Sequence, residues 1–207
     1  MLRIIAFTTM AIDHIGLIFF PQFIIFRIIG RIAMPLFAFS IAEGYVRTRN
    51  VDKYGQRILL LALISQPIFF LLFDNNTLNI CFTLFVGLAS IYIYDKAKNW
   101  TLKILGILFL LIFSTFFNLE YGAYGVLMIL LFYIFRNNIY LLIAQSLLIF
   151  TFVLTDFTQV INIFAILAIF LAHYFKKHDF RLNRYLQYWF YPAHLLVIYI
   201  VYLLIGS

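Results

Sequence analysis

The sequence predicts an all-α integral membrane protein, a single domain over residues 1–207 built as a bundle of about nine transmembrane helices. Three observations lead to this prediction. Of the 207 residues, 65% are hydrophobic and only 11% are charged, whereas soluble domains carry about 25% charged residues. The mean hydropathy is +1.03, and apolar runs long enough to cross a bilayer recur along the chain. Lysine and arginine residues cluster between alternate runs, as is typical of polytopic membrane proteins.

Nine apolar segments are interpreted as membrane spans, each of about 20 residues or fewer. They cover residues 4–20, 27–46, 57–73, 78–94, 101–118, 121–135, 139–153, 158–175 and 186–205. Asp13, His14 and Pro21 occupy the stretch where a removable signal peptide would need small residues for its cleavage. We therefore expect the first segment to remain in the protein as a span.

Basic residues are expected on one face of this bundle. Arg3 precedes the first span, and the others on this face follow the even-numbered spans: Arg47, Arg49, Lys53, Arg57, Lys96, Lys98, Lys103, Arg136, Lys176, Lys177, Arg181 and Arg184. The loops of the opposite face carry Asp74, Glu120 and Asp156. The positive-inside rule then predicts a cytoplasmic amino terminus and an outer carboxyl terminus in the cell's inner membrane. This orientation signal and anionic lipid headgroups account for the net charge of +7, so no nucleic acid is expected as a partner.

Four ionisable residues near the amino terminus are expected inside the membrane, where each costs at least a few kcal/mol. Asp13 and His14 lie about ten residues beyond Arg3, which places them near mid-depth. Arg27 and Arg31 are four residues apart and share one helix face. A short connection makes the first two helices antiparallel neighbours, so Asp13 is expected to reach one of these arginines.

Two interpretations of this group remain open. Asp13, Arg27 and Arg31 could form a structural polar lock between two helices, or they could serve a functional site. For His14 we favour a functional role, because a neighbouring cation favours the neutral imidazole, which can accept a proton.

The last span carries a second polar stripe. Tyr188, Tyr191 and His194 are spaced three residues apart and share roughly one helix face, with Pro192 among them. His194 is expected near mid-depth and close to His14 if the first and last helices are neighbours. The alternative is a histidine that only forms a hydrogen bond between packed helices.

Other polar residues have simpler interpretations. Glu43 is expected to form an ion pair with Arg47, four residues later on the same helix. Tyr121 and Tyr124 are interpreted as anchors at the lipid headgroups. The single cysteine, Cys81, excludes an intramolecular disulfide and sites with several cysteine ligands, and in an apolar span it is more often inert packing than an acyl carrier.

Several stretches of the chain together resemble the TraX-type F-pilin acetylation proteins. They are Met10–Gly16 (MAIDHIG), Gly30–Tyr45 (GRIAMPLFAFSIAEGY), Ser65–Pro67 (SQP) and Tyr191–Leu196 (YPAHLL). The resemblance extends from the first span to the last. It implies a membrane-embedded acyltransferase that passes an acetyl group from acetyl coenzyme A to an amine or hydroxyl acceptor, which in that family is the amino terminus of a pilin subunit. The acceptor of this chain is expected to be an envelope or pilin-like molecule, and no metal is expected.

The residues fit this chemistry as follows. His14 is the expected base, and Asp13 is expected to hold one of the neighbouring arginines. Arg31, Arg27 or Gln66 would stabilise the oxyanion that develops on the thioester. The residues expected on the donor's side are Glu43, Arg47, Lys53 and Arg57 near the phosphates, and Tyr191 with His194 near the thiol end.

Two other functions remain possible on the sequence alone. A small transporter or proton-coupled permease would use Asp13, His14 and His194 to relay protons across the membrane. The sequence shows no internal repeat of the kind that supports an inverted-repeat transporter. A scaffold that only packs against partners is the third possibility. Walker-type, GxGxxG, GxSxG and HExxH motifs are absent from the sequence, so common soluble catalytic sites are not indicated.

Overall fold

The structure, a computed structural model, describes residues 1–73, 76–135, 138–155, 162–175 and 184–205. Within these ranges the chain forms ten α-helices. They are α1 (Leu2–Phe19), α2 (Ile24–Gly30), α3 (Ala33–Arg47), α4 (Val51–Phe73), α5 (Ile80–Lys96), α6 (Trp100–Phe116), α7 (Gly122–Ile134), α8 (Asn138–Thr155), α9 (Ala165–Phe175) and α10 (Arg184–Ile205). The all-α prediction is thus confirmed for the part of the chain that the structure describes.

Four helical segments of the described residues are long and apolar enough to cross a membrane: Leu2–Phe19, Ile24–Arg47, Val51–Phe73 and Gln187–Ile205. Several shorter apolar helices accompany them, and the chain is a membrane protein. Every predicted span overlaps a described helix, and the second overlaps both α2 and α3. The charged residues of the predicted topology that lie outside the described ranges are Asp74, Arg136, Asp156, Lys176, Lys177 and Arg181.

The second predicted span is interrupted at Arg31–Ile32, where the chain forms a turn between α2 and α3. Pro35 explains the position of the break. It has no N–H to donate to the carbonyl of Arg31 four residues earlier, and its ring would clash with that carbonyl in a continuous helix. The break leaves Arg31 at a helix end, inside the protein.

One end of the bundle, here called the basic face, joins the ends of helices that the charge pattern predicted to meet. Arg3 Nη1 donates to Gln187 Oε1 over 2.6 Å, which ties the start of α1 to the start of α10. The hydroxyls of Tyr45 and Tyr133 both donate to Asp95, over 2.8 and 2.9 Å. The ends of α3, α5 and α7 therefore meet on this face.

The other end, the opposite face, is held by short contacts between loops. Leu78 and Leu119 form an isolated parallel bridge. Gln66 binds the residue before α5: its Oε1 accepts from the backbone N–H and from Nδ2 of Asn79, each over 2.9 Å. Asn79 caps α5, because its Oδ1 accepts from the N–H of Cys81 over 3.0 Å. The first turn of α5 is thereby fixed against α4.

The core lies where α3, α5 and α7 pack together. Ile91, Val126 and Ile129 are completely buried there. Gly87 allows the closest approach: a Cβ at this position would lie 2.3 Å from Cδ1 of Ile129. Around this core, α1 packs against α3 and α10, and α10 packs against α4. Helices α1, α3, α4, α5 and α10 leave a space between them on the side of the basic face.

Candidate functional site

A cavity of about 920 Å³ opens at the basic face. Four arginines line it near the helix ends of this face: Arg3, Arg47, Arg49 and Arg57. Four other lining residues belong to helix segments deeper in the bundle: Met10, Ile80, Cys81 and Tyr191. The cavity therefore runs from a cationic mouth to a mostly apolar inner end.

Aromatic rings fix one of the arginines at the mouth. Arg57 Nε donates to the hydroxyl of Tyr188 over 2.9 Å. Its guanidinium lies 5.8 Å from the ring centroid of Tyr54 and 6.0 Å from that of Tyr188. Arg47 instead forms the predicted ion pair with Glu43, over 2.8 Å, so that prediction is confirmed. Among the described residues, Arg57 thus presents a planar donor group to the cavity without an acidic partner of its own.

His14, which is buried, and His194, which is half-buried, form a pair beyond the inner end. His14 Nδ1 lies 2.9 Å from His194 Nε2, and the two rings stack with centroids 5.2 Å apart. His194 Nδ1 lies 2.9 Å from the carbonyl oxygen of Phe190. The predicted approach of the first and last helices is confirmed.

The hydrogen-bond chain assigns the protons of this pair. The Phe190 carbonyl can only accept, so His194 carries its proton on Nδ1. In the neutral ring His194 Nε2 must then accept, and His14 Nδ1 must donate to it. This leaves His14 Nε2 as the unprotonated nitrogen. His194 therefore orients His14 in the way that the third member of a catalytic triad orients the base.

The predicted contact of Asp13 with one arginine is also confirmed. Arg27 Nη1 donates to Asp13 Oδ2 over 2.7 Å. The other carboxylate oxygen, Oδ1, is buried and has no hydrogen-bond partner within the described part of the chain. It faces Gly30, where a Cβ would lie only 2.1 Å away. A glycine is required here because the carboxylate occupies the space of a side chain.

Arg31 has neutral neighbours within bonding distance. Its Nη1 donates to Asn162 Oδ1 over 3.2 Å, and its Nε donates to the carbonyl of Arg27 over 3.4 Å. The guanidinium lies 5.8 Å from the ring centroid of Tyr121. Arg31 is only 9% exposed. Its positive charge therefore lies inside the protein, next to neutral hydrogen-bond partners.

The polar cluster of Asp13, His14, Arg27, Arg31 and His194 lies one helical turn beyond the cavity lining. Met10, which lines the cavity, precedes His14 by four residues, and Tyr191 precedes His194 by three. The hydroxyl of Tyr191 is buried and has no hydrogen-bond partner among the residues that the structure describes. The cavity and the cluster are therefore adjacent but separated by this layer of side chains.

Three residues predicted for the site lie outside the cavity lining and the polar cluster: Glu43, Lys53 and Gln66. Glu43 is bonded to Arg47. The side chain of Lys53 is exposed, and Lys53 is not part of the cavity lining. Gln66 is likewise outside the lining, because its amide is used to hold Asn79 and the carbonyl of Thr77. Sequence spacing placed Lys53 and Gln66 on suitable helices but could not show which way these side chains point.

Four residues near the cluster were not predicted for it. Tyr124 is 5% exposed and Tyr121 lies against Arg31, so the interpretation of both as headgroup anchors was wrong. Asn162 is buried and binds Arg31. Glu120 has a buried Oε2 to which no described residue donates. The sequence did contain a signal that the Glu120 carboxyl could be buried. Glu120 is an acidic residue in a short connection without a basic residue, and a tight loop can turn such a side chain inward.

Burial raises the pKa of the Glu120 carboxyl to about 7. The charge of Asp13 acts in the same direction. The backbone amide of Ile80, Arg31 and Arg27 act in the opposite direction. Glu120 therefore exchanges a proton near neutral pH.

A second hollow of about 510 Å³ lies between α4 and α10. It shares Arg57, Leu61 and Tyr188 with the cavity, and its other lining residues are apolar and include Leu60, Ile64 and Trp189. Because Leu60, Ile64 and Trp189 are exposed on the outside of the bundle, this hollow faces the lipid rather than the polar cluster.

Comparison with known proteins places the chain in a family. The family described as TraX protein matches residues 1–202. The probable fimbrial assembly protein FimC, serogroup H1, of Dichelobacter nodosus is 30% identical over 59% of this chain and 56% of that protein. The uncharacterized protein RP591 of Rickettsia prowazekii (strain Madrid E) is 37% identical over 47% of this chain and 38% of that protein.

These alignments cover about half the length of the relatives or less. No solved structure matches the chain. The family match covers nearly the whole sequence and includes the helices that carry His14, Arg31 and His194. The chain belongs to the TraX protein family.

Proposed function

We propose that the chain is a membrane-embedded acyltransferase that transfers an acetyl group from acetyl coenzyme A to an amine or hydroxyl acceptor. The observation that carries the proposal is a cavity with a cationic mouth whose inner end lies one helical turn from the His14–His194 pair. Binding of the donor and reaction at its thioester need different environments, and here the two environments are adjacent.

The mouth suits a polyphosphate. Arg3, Arg49 and Arg57 line it, and guanidinium groups bind phosphate oxygens through paired hydrogen bonds. The Tyr54 and Tyr188 rings beside Arg57 offer flat apolar surfaces to an adenine base. A volume of about 920 Å³ falls in the upper range of small-molecule sites.

The inner end suits the thioester. His14 lies eleven residues after Arg3 on α1, which corresponds to about 16 Å along the helix. A donor with a charged head and a long neutral arm fits this arrangement. The hydroxyl of Tyr191, which no described residue binds, would donate to the thioester carbonyl, and the buried charge of Arg31 would stabilise the oxyanion.

The reaction uses His14 as base. The acceptor's nitrogen or oxygen attacks the carbonyl carbon, and its proton passes to His14 Nε2. His194 stabilises the resulting imidazolium through the bond to His14 Nδ1. The carbon–sulfur bond then breaks, the electron pair leaves on sulfur, and His14 returns the proton to the thiolate.

The setting of this reaction is the inner membrane, with the basic face in the cytoplasm, where acetyl coenzyme A is available. The relative from Dichelobacter nodosus is named as a probable fimbrial assembly protein. We therefore propose an envelope or pilin-like molecule as the acceptor, reached from the opposite face.

The test is performed on purified wild-type protein in detergent. Acetyl coenzyme A should raise the melting temperature in a concentration-dependent way, because it binds only the folded state. Radiolabelled acetyl groups should pass to an amine or hydroxyl acceptor, and the His14→Ala variant should lose this transfer. Absence of both stabilisation and transfer contradicts the proposal. Proton uptake by proteoliposomes without a thioester would instead favour a permease.

A further inference from the structure

We propose that Glu120 binds the amine of the acceptor from the opposite face and takes its first proton. This inference rests on the proposed acyl transfer. It adds a second proton acceptor to the reaction. The donor would reach the inner end of the cavity from the basic face, and Glu120 lies on the side of the opposite face.

The loop that carries Glu120 is held in place at several points. Its backbone N–H donates to the carbonyl of Leu78 over 2.8 Å, and its carbonyl accepts from the hydroxyl of Thr83. The flanking residues Asn118 and Tyr121 adopt φ values of 49° and 62°. Such left-handed conformations cost energy outside glycine and persist where the surroundings enforce them. The backbone is fixed at the surface while the side chain points inward.

The carboxyl of Glu120 accepts a hydrogen bond from the backbone N–H of Ile80, the first residue of α5. Its charge also acts on the thiol of Cys81 and on the hydroxyl of Tyr191. These groups belong to the inner end of the cavity. Glu120 is therefore next to the place where the thioester carbonyl is proposed to lie.

The other neighbours of Glu120 are charged. Asp13 on α1 repels it, while Arg31 and Arg27 attract it. Tyr121 follows it in the loop and lies under Arg31.

Two acidic oxygens in this region receive no hydrogen bond from the described residues. Asp13 is only 7% exposed and its Oδ1 is unpaired there, and Glu120 Oε2 is buried and unpaired as well. Buried acceptors in native proteins are almost always hydrogen-bonded. A primary ammonium supplies three N–H donors and a positive charge, whereas an alcohol supplies one donor and no charge. The unpaired oxygen of Glu120 is therefore better matched to an amine.

The proton steps balance for an amine. An ammonium R–NH₃⁺ gives one proton to the Glu120 carboxylate, which leaves neutral R–NH₂ beside neutral Glu120. The nitrogen then forms a bond to the acetyl carbon, and the carbon–sulfur bond breaks. The second proton passes from nitrogen through His14 to the thiolate. A pKa of about 7 allows Glu120 to accept and release the first proton near neutral pH.

The first experiment needs no turnover. Purified protein is treated with dicyclohexylcarbodiimide, which modifies protonated buried carboxyls, and Glu120 labelling is read by mass spectrometry. Labelling should fall as the pH rises, with a midpoint near the Glu120 pKa of about 7. At constant pH, 2-phenylethylamine should protect Glu120 severalfold, and 2-phenylethanol should not. Equal protection by both compounds, or none by the amine, overturns the proposal.

The second experiment measures acetyl transfer to 2-phenylethylamine. The Glu120→Gln variant should lose about tenfold or more in kcat, within the usual range for a proton-transfer group. It should also lose the rise of rate with pH around neutrality, and Glu120→Asp should restore part of both. Stabilisation by acetyl coenzyme A should be unchanged in these variants. Asp52→Asn, an exposed carboxyl at the start of α4, is the control.

The outcomes separate the two proposals. If the wild type transfers acetyl groups and Glu120→Gln matches it in kcat and pH profile, the role of Glu120 is refuted and acyl transfer stands. If the wild type neither binds nor consumes acetyl coenzyme A, acyl transfer is refuted, and the labelling result alone decides whether Glu120 binds amines.

Discussion

His14 Nδ1 lies 2.9 Å from His194 Nε2, across 180 residues of sequence. The bond of His194 Nδ1 to the Phe190 carbonyl fixes the direction of donation along the chain. A proton accepted by His14 Nε2 therefore creates a charge that His194 can stabilise at once. This relationship joins the first and last helices and defines the proposed base.

The first prediction concerns this pair. His14→Ala should lower kcat by roughly 10²- to 10⁴-fold, the usual contribution of a positioned base. His194→Ala should lower it less, because His14 remains but loses its orientation. The double variant should be no slower than His14→Ala, since residues that act as a unit are not additive. Independent, multiplicative losses in kcat would show that the two rings do not work together.

The second prediction concerns the mouth. Arg57→Ala should raise the KM for acetyl coenzyme A about tenfold or more and change kcat little, because Arg57 contacts the donor's head and lies far from the reacting carbonyl. Lys98→Ala is the matched control, since Lys98 is an exposed basic residue between α5 and α6, outside the cavity lining. A fall in kcat with unchanged KM would refute the assignment of Arg57 to the phosphates.

The third prediction concerns the packing of Asp13. In Gly30→Ala the added Cβ would lie 2.1 Å from Asp13 Oδ1, which is too close for both atoms to keep their positions. The variant should lower the melting temperature by several degrees, because the buried Asp13–Arg27 pair must shift or separate. Gly55→Ala is the control: its Cβ would meet Phe85 at 3.4 Å, close to an ordinary contact. Equal melting temperatures for Gly30→Ala and Gly55→Ala would contradict the geometry.

The fourth prediction follows from the pKa of Glu120. Burial raises this pKa from 4.5 to about 7, so the folded state binds more protons than the unfolded state between these values. The contribution of Glu120 to stability is therefore fully present below about pH 4.5 and is lost as the pH rises through about 7. The melting temperature of Glu120→Gln, relative to the wild type, should rise by a few degrees from about pH 5 to about pH 8. A constant or falling difference contradicts the raised pKa.

The sequence predicted the helical class and two long-range contacts, Asp13 with an arginine and His14 with His194. Depth along a helix follows from a rise of about 1.5 Å per residue, so the spacing of Asp13, His14 and His194 from the basic clusters was enough to place them at similar depths. The short connection between the first two helices then predicted the contact of Asp13 with an arginine. Periodicity and charge were sufficient for these predictions.

Side-chain direction and loop geometry could not be predicted in the same way. Gln66 lies on α4 but turns toward Asn79 and away from the cavity, because holding the residue that caps α5 requires a buried acceptor. Glu120 turns inward between left-handed residues of its loop. Its place in a short connection without a basic residue was a signal, but it did not give the direction of the side chain. Asn162 is one polar residue in an apolar run, and only the packing of the helices brings it to Arg31.

The central claim is that the cavity holds the acyl donor with its thioester next to the histidine pair. An experimental structure of the chain bound to acetyl coenzyme A tests it most directly. We expect phosphates at Arg49 and Arg57 and a thioester carbonyl within hydrogen-bond distance of the Tyr191 hydroxyl. A donor bound in the lipid-facing hollow between α4 and α10, or with its thioester remote from Tyr191, would contradict it.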